Sequence, residues 1–236
     1  MNAGLKGLCL VSLIVLAILA GSSVPASADT IYWTDWTSQT FTNGSTPGSA
    51  EGSITFPGST VGVHYSGDVL NTSHGDWQPT TTFQGGIVGN APPGNNNIAL
   101  TGGYAFTNTL TFDTPVVNPV MAVLSLGGGG GTTASYHFTS PFTILNYGPN
   151  VTYSENGPFY ADASNTILYG LGGNGIIQFQ GTYSSLSWTA PDYEYWHMFT
   201  VGAPSTDRSS VPEPSVLLLI GPGLLGLAGV RRRFKK

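Results

Sequence analysis

Between residues 29 and 210 the apolar residues recur in short alternating runs, and no stretch has the i, i+3, i+4 apolar spacing of an amphipathic helix. Gly, Pro, Asn or Ser bound each run, as expected for strands of an all-β domain. The runs are 52–56, 60–65, 104–112, 116–126, 134–147, 166–170, 175–180, 182–190 and 195–202. They predict a single β-sandwich of jelly-roll type, with long loops over 71–97, where prolines and asparagines cluster.

Basic residues are almost absent from this segment. Eleven Asp and Glu residues between 29 and 211 face one arginine, Arg208, and no lysine. The whole-chain formal charge of −5 hides this asymmetry, because the other basic residues lie near the two ends. Proteins bind nucleic acids with Lys and Arg that neutralise phosphates, so the composition excludes a nucleic-acid partner.

The N-terminus predicts a cleaved secretory signal over residues 1–28. Lys6 precedes an apolar core, Leu8 to Ala20, and Ala26-Ser27-Ala28 forms the Ala-x-Ala pattern that signal peptidases accept. An uncleaved anchor is the weaker alternative, because spanning a bilayer takes roughly 20 residues. Cys9 is the only cysteine and lies inside this signal, so the mature chain is expected to lack disulfides, thiol nucleophiles and cysteine metal ligands.

The C-terminus combines three features over residues 211–236. Val211-Pro212-Glu213-Pro214 comes first, an uncharged apolar run over 215–230 follows, and the tail 231–236 holds five basic residues. As a helix the apolar run reaches about 24 Å against a hydrocarbon core of roughly 30 Å, a marginal transmembrane span. The basic residues, including Arg231, Arg232 and Arg233, are a topology signal, because Lys and Arg stay on the cytoplasmic side.

These 26 residues resemble the PEP-CTERM sorting signal of Gram-negative bacteria. The Pro-Glu-Pro motif, the apolar segment, the arginine cluster and their distance from the terminus all agree with that family. Gly221-Pro222-Gly223 within the apolar run and the trailing Phe234-Lys235-Lys236 are small departures, and an ordinary C-terminal anchor is the alternative.

The resemblance implies a processing partner and a location outside the cytoplasm. Members of the family are exported, are held briefly in the membrane by the C-terminal helix and are cut by exosortase, a membrane protease-transpeptidase. They are associated with exopolysaccharide and biofilm production, at the cell surface or in the extracellular matrix. Their exported domains vary widely, so the tail does not assign an activity to residues 29–210.

Aromatic residues near both ends of the domain are candidates for glycan contact. Trp33 and Trp36 lie near its start, and Tyr195 and Trp196 lie near its end. If the terminal strands pair, these rings form a platform on which sugars stack. Rings in a small β-sandwich more often serve the core, and that interpretation is favoured about two to one.

The candidate catalytic and metal-binding residues are few. Asp192 and Glu194 would project from one strand face about 6.5 to 7 Å apart, near the separation in inverting glycosidases, but an acidic turn explains the pair as well. Asp68, His74 and Asp76 are candidates for a cation site of common, unspecific spacing. We therefore expect no catalytic residues, no metal and no cofactor.

The remaining histidines are assigned by strand alternation. His64 and His137 fall on polar faces and are expected to be solvated, whereas His197 shares a face with Phe199 and Val201 and is expected to be partly buried.

Three function classes stay open for the exported domain. The leading one is a non-enzymatic structural or adhesive protein of the cell envelope or biofilm matrix. A glycan-binding module at the cell surface is the second, and a matrix glycan hydrolase is the third.

Overall fold

The computed structural model describes residues 28–72, 76–94, 96–128 and 131–205, all within one compact unit. These residues form two β-sheets and a 3-10 helix at Thr80–Phe83. The strands are β1 (Ile31–Trp33), β2 (Asp35–Thr40), β3 (Gly48–Phe56), β4 (Ser59–Gly67), β5 (Asn71–Thr72), β6 (Ile98–Leu100), β7 (Asn108–Val117), β8 (Val120–Leu126), β9 (Ala134–Phe138), β10 (Thr143–Tyr147), β11 (Phe159–Ala161), β12 (Ile167–Gly170), β13 (Gly173–Gln178), β14 (Thr182–Thr189) and β15 (His197–Pro204).

The seven-stranded sheet has the order β10-β13-β8-β15-β6-β5, and β1 pairs antiparallel with β15. Its strands β8, β13 and β15 are buried along their whole length. A strand covered on both faces tolerates apolar residues at every position, which accounts for the continuous sequence Val-Met-Ala-Val-Leu in β8.

The outer face of this sheet is covered by the segment for which the sequence predicted loops. Trp77, Phe83 and Val88 from that segment form a buried cluster with Ile31 and with the outward residues of β8. The loops are therefore a third layer over the sheet, held by apolar contacts. A separate, larger cluster fills the space between the two sheets.

The eight-stranded sheet has the order β11-β12-β9-β14-β7-β4-β3-β2. Its strands alternate buried and exposed residues, as in β4, where Val61, Val63 and Tyr65 face the core. The opposite face of this sheet carries Ser, Thr, His and acidic residues and is open to solvent.

The all-β prediction is confirmed, and each predicted run contains a strand. Two long runs are wrong in extent. The run 116–126 divides at Asn118, which has a φ of 50°, and Pro119, which has no N–H for the ladder. The run 134–147 divides into β9 and β10, which belong to different sheets. The run 104–112 begins as a strand only at Asn108.

Five short strands were not predicted. Four of them have only two or three residues, too few to define a period, and the six-residue β2 is mostly polar and has no buried position. The five are β1, β2, β5, β6 and β11. The jelly-roll order of the connections stays a prediction.

The predicted signal and sorting segments fall almost wholly outside the described residues. These include residues 1–27, the motif at 211–214, the apolar run 215–230 and the arginines 231–233. Within the described part of the chain, no helix has the length and apolar character needed to cross a bilayer.

Candidate functional site

The tryptophan rings of β1 and β2 pack against the core. The terminal strands do pair, since Trp33 lies opposite Gly202 in the β1–β15 ladder. Trp33 is buried and its Nε1 donates to the Asn90 carbonyl at 3.2 Å. Trp36 is half-buried and its Nε1 donates to Thr200 Oγ1 at 3.3 Å. Its burial leaves the Trp33 ring little surface that a glycan could contact.

The two rings before β15 differ from each other. Tyr195 is 81% exposed and lies in the loop 190–196 between β14 and β15. Trp196 is half-buried against Tyr153, with ring centroids 4.7 Å apart. Of the four rings predicted to contact a glycan, only Tyr195 stands fully in solvent.

Asp192 and Glu194 do not form a catalytic pair on a strand face. Both lie in the loop 190–196, so the acidic turn is the correct interpretation. The Asp192 side chain accepts a hydrogen bond from Ser135 Oγ at 2.6 Å. The Glu194 side chain is buried and its Oε1 pairs with Nδ1 of His197. Each carboxylate is thus committed to a different partner.

The Glu194–His197 pair belongs to a polar group inside the core. Tyr136 stands with its ring 5.1 Å from the His197 ring, and burial followed by the Glu194 charge raises the pKa of its phenol well above the ordinary value. Among the described residues, Tyr136 Oη, Glu194 Oε2, His197 Nε2 and Trp188 Nε1 have no hydrogen-bond partner. His197 was predicted to be partly buried, and the structure buries it completely. Its bond to Glu194 ties the loop 190–196 to β15.

Ser135, His137 and Asp192 meet outside the core without forming a hydrolytic triad. Ser135 Oγ lies 3.0 Å from His137 Nε2 and donates to Asp192 Oδ2. In a Ser-His-Asp triad the serine proton goes to the histidine and the carboxylate orients the histidine. Here the Ser135 hydroxyl donates its hydrogen bond to Asp192 instead of His137, so the three residues are not arranged as in such a triad.

Two tyrosines lie beside Ser135 on the outer face of the eight-stranded sheet. Tyr160 lies opposite Tyr169 in the β11–β12 ladder, and Tyr169 lies opposite Ser135 in the β12–β9 ladder. The two rings stack with centroids 5.2 Å apart at 20°, and Tyr160 is 48% exposed. We call Tyr160, Tyr169, Ser135, His137 and Asp192 the tyrosine face.

Sequence reasoning missed the tyrosine face. The alternation of Ile167 and Tyr169 with Leu168 and Gly170 already placed Tyr169 on the face opposite to the buried Leu168. The partner Tyr160 lies on a three-residue strand that periodicity does not detect.

The two candidate cation residues that the structure describes, Asp68 and Asp76, have hydrogen-bond partners within the protein. Asp68 is buried and its Oδ2 accepts hydrogen bonds from the backbone N–H groups of Thr101 and Gly102. His74 lies outside the described residues, and Asp76 Oδ2 accepts from Thr152 Oγ1 at 2.8 Å. Within the described ranges, no group of three or more His, Cys, Asp or Glu residues is arranged to hold a metal ion.

His64 lies exposed on the polar face of its strand, as predicted, and is also paired. It lies between Glu51, which it contacts through Nδ1, and Asp113, whose Oδ1 is 2.8 Å from Nε2. Hydrogen bonds to Asp113 and then Glu51 raise the pKa of His64 above its ordinary value. His137 is half-buried and bonded to Ser135, so it too has a specific partner.

Comparison with known families finds one match. The family model of the PEP-CTERM protein-sorting motif matches residues 210–233. No curated protein and no solved structure matches the chain.

Proposed function

We propose that this PEP-CTERM protein has a non-enzymatic, structural or adhesive role in the cell envelope or biofilm matrix after processing. The observation that carries the proposal is the sorting motif at residues 210–233, which marks an exported protein targeted to exosortase. In this proposal the segment 215–230 anchors the chain in the inner membrane until exosortase cuts near Pro212-Glu213-Pro214. The domain is then released to the surface or matrix.

The arrangement of acidic residues supports a non-enzymatic role. A glycosidase needs two carboxylates that flank one substrate bond. The two candidates lie two residues apart, but Glu194 points into the core toward His197 while Asp192 accepts a bond from Ser135. The two carboxylates therefore do not face one common substrate bond.

Glu213→Ala tests the sorting step, with Asp207→Ala as a matched control because it removes a carboxylate just ahead of the motif. In cells that contain exosortase, we expect the Glu213→Ala chain to keep its tail and stay in the membrane fraction. A chain without the five basic residues of 231–236 is expected to lose its orientation and be mislocalised. Wild type and Asp207→Ala should appear tail-free outside the inner membrane.

Immunoblots of membrane and extracellular fractions, with and without exosortase, provide the measurement. Equal release of tail-free wild-type protein from both strains would contradict the proposal and leave the tail as an ordinary anchor.

A glycan-binding module is the second candidate, and the tyrosine face is the observation that favours it. Tyrosine presents a rigid ring with a polar tip, a combination enriched at binding surfaces. A stacked pair beside hydroxyl, imidazole and carboxylate groups supplies both contact types that a sugar needs.

A further inference from the structure

We infer that the tyrosine face binds a polysaccharide that carries free amino groups. The inference rests on the proposed function only in that the domain must reach the polymer outside the cell. It names the ligand chemistry and the residues, which the sorting motif does not.

The register of three adjacent strands places the contact residues in one row. Tyr160, Tyr169 and Ser135 are cross-strand neighbours on β11, β12 and β9. Their side chains point to the outer face of the sheet, because the intervening Leu168 and Tyr136 are buried in the core. Tyr160 is 48% exposed and Tyr169 is half-buried, whereas Ser135 is only 4% exposed. The surface open to a ligand is therefore the stacked pair of rings, whose centroids are 5.2 Å apart.

A second row runs beside the first. His137 lies opposite Ile167 in the β12–β9 ladder, and Asp162 donates its backbone N–H to the Ile167 carbonyl at 2.9 Å. Asp162 follows β11, two residues after Tyr160, and its carboxylate accepts hydrogen bonds from the backbone N–H groups of Ser164, Thr166 and Ile167 in the turn that leads to β12. One carboxylate thus lies in the turn next to Tyr160, and a second, Asp192, is bonded to Ser135 beside Tyr169.

Negative charge near the rings favours a cation. The Ser164 hydroxyl, then the backbone N–H of Ile167, hold the pKa of the Asp162 carboxyl far below its ordinary value, so this residue carries its negative charge at any physiological pH. An ammonium group over a tyrosine ring gains further from the ring quadrupole. Stacked aromatic rings in negatively charged surroundings therefore favour an amine on a flat, partly apolar ligand.

The negative charge of the domain determines which sign of charge a bound polymer should carry. The described residues include ten Asp and Glu and no Lys or Arg. Such a surface repels anionic polysaccharides and attracts cationic ones, most strongly at low ionic strength. An amino polysaccharide supplies both the positive charge and the apolar ring faces that stack on Tyr160 and Tyr169. A basic peptide shares only the charge.

The experiment uses the full-length chain, purified in detergent, with chitosan and chitin beads. These polymers share one backbone and differ in whether the amine is free or acetylated. At about pH 5.5, where free amines are protonated and carboxylates ionised, we expect retention on chitosan and little on chitin. Poly-lysine beads report attraction that depends on charge alone.

Tyr160→Ala is the decisive variant, and Tyr147→Ala is its matched control. Tyr147 is 59% exposed and lies on an edge strand, β10, of the other sheet. We expect Tyr160→Ala to weaken chitosan binding about five- to tenfold, Tyr160→Phe to restore it, and Tyr147→Ala to bind as wild type. Circular dichroism and urea unfolding establish that each variant is folded. If Tyr160→Ala does not fold, Tyr160→Lys replaces it, because the added charge repels the amine.

Three results would overturn the inference. Equal chitosan binding by Tyr160→Ala and Tyr147→Ala would mean that the tyrosines protect an edge strand. Equal retention on chitin and chitosan would mean that the free amine does not contribute to binding. Equal weakening of poly-lysine binding by Tyr160→Ala would mean that the face recognises cations generally. The Tyr160→Ala chain should be processed by exosortase as wild type, so failed glycan binding and failed sorting are read separately.

Discussion

Asp68 illustrates, at the scale of one residue, how a buried carboxylate organises a connection. Its Oδ2 accepts from the Thr101 N–H at 2.7 Å and the Gly102 N–H at 2.8 Å, and from Thr101 Oγ1 at 3.2 Å. Its Oδ1 accepts from Thr42 Oγ1. Four donors satisfy the charge inside the protein, so the residue that sequence spacing offered as a cation ligand is a structural acceptor.

Replacing Asp68 with alanine should therefore be costly. The change leaves two backbone N–H groups without their acceptor, and we expect the free energy of unfolding to fall by about 2 to 4 kcal/mol. Asp68→Asn keeps one oxygen and should cost roughly half as much. Urea unfolding measures both. Asp113→Ala, whose side chain is 63% exposed, is the control and should cost under about 1 kcal/mol. Equal effects at the two positions would contradict this role of Asp68.

At the scale of elements, the terminal strand β1 depends on close approach to β15. Gly202 lies where an added Cβ would stand 2.7 Å from the Tyr32 carbonyl oxygen and 2.8 Å from Ile31 Cγ2. Both contacts are with β1, which closes one side of the sheet. A side chain at this position must push the two strands apart.

Gly202→Ala should accordingly lower the free energy of unfolding by about 1 to 3 kcal/mol, the usual cost of overpacking. Gly128→Ala is the matched control, because an added Cβ there meets nothing within 4 Å. Thermal or urea unfolding of the two variants makes the comparison. A neutral Gly202→Ala would mean that β1 contributes little to the sheet.

Three other strands are joined by His64. It links β4 to Glu51 on β3 and Asp113 on β7, across the outer face of the eight-stranded sheet. Because these bonds raise the pKa of His64, the protonated form is the one that stabilises the fold. This stabilisation is fully present below the ordinary value of 6.5 and is lost as the pH rises through the raised one.

We expect His64→Gln to destabilise the protein more at about pH 6 than at about pH 9, by under about 1 kcal/mol because the site is exposed. Unfolding curves of wild type and variant at both pH values give the difference. The double variant Glu51→Gln, Asp113→Asn should remove the pH dependence of the effect. The opposite sign would mean that neutral His64 is the stabilising form.

At the scale of the whole molecule, the described residues hold a one-sided charge. They include ten Asp and Glu and no Lys or Arg, and the ion pairs described above use histidine. Stability therefore comes from two apolar clusters, one between the sheets and one beneath the segment 77–91. Repulsion between carboxylates opposes both.

Screening should relieve that repulsion. Raising NaCl from about 10 to about 200 mM shortens the Debye length from roughly 30 to roughly 7 Å, and we expect the free energy of unfolding to rise by about 1 kcal/mol. The double variant Glu51→Gln, Asp113→Asn carries two fewer charges and should show a smaller rise. Stability that falls with salt would mean that attractive ion pairs dominate.

The alternation of apolar and polar residues along the sequence predicted most of the longer strands. Alternation over five or more residues predicted β3, β4, β7 and β14, and it placed His197 in the core, because the period of side-chain direction is a property of neighbouring residues. Short strands such as β11 escaped because three residues do not define a period.

The sequence by itself determined the class of the fold, the acidic and lysine-free character of residues 29–210, the absence of cysteine there, and the sorting motif near the C-terminus. Each of these is a matter of composition or of residues close along the chain. Only the tertiary structure decided that Ser135 meets Asp192, that Tyr160 stacks on Tyr169, and that the segment 77–91 covers a sheet. These contacts depend on strand register and burial, which join residues distant in sequence and are set by how the whole chain packs.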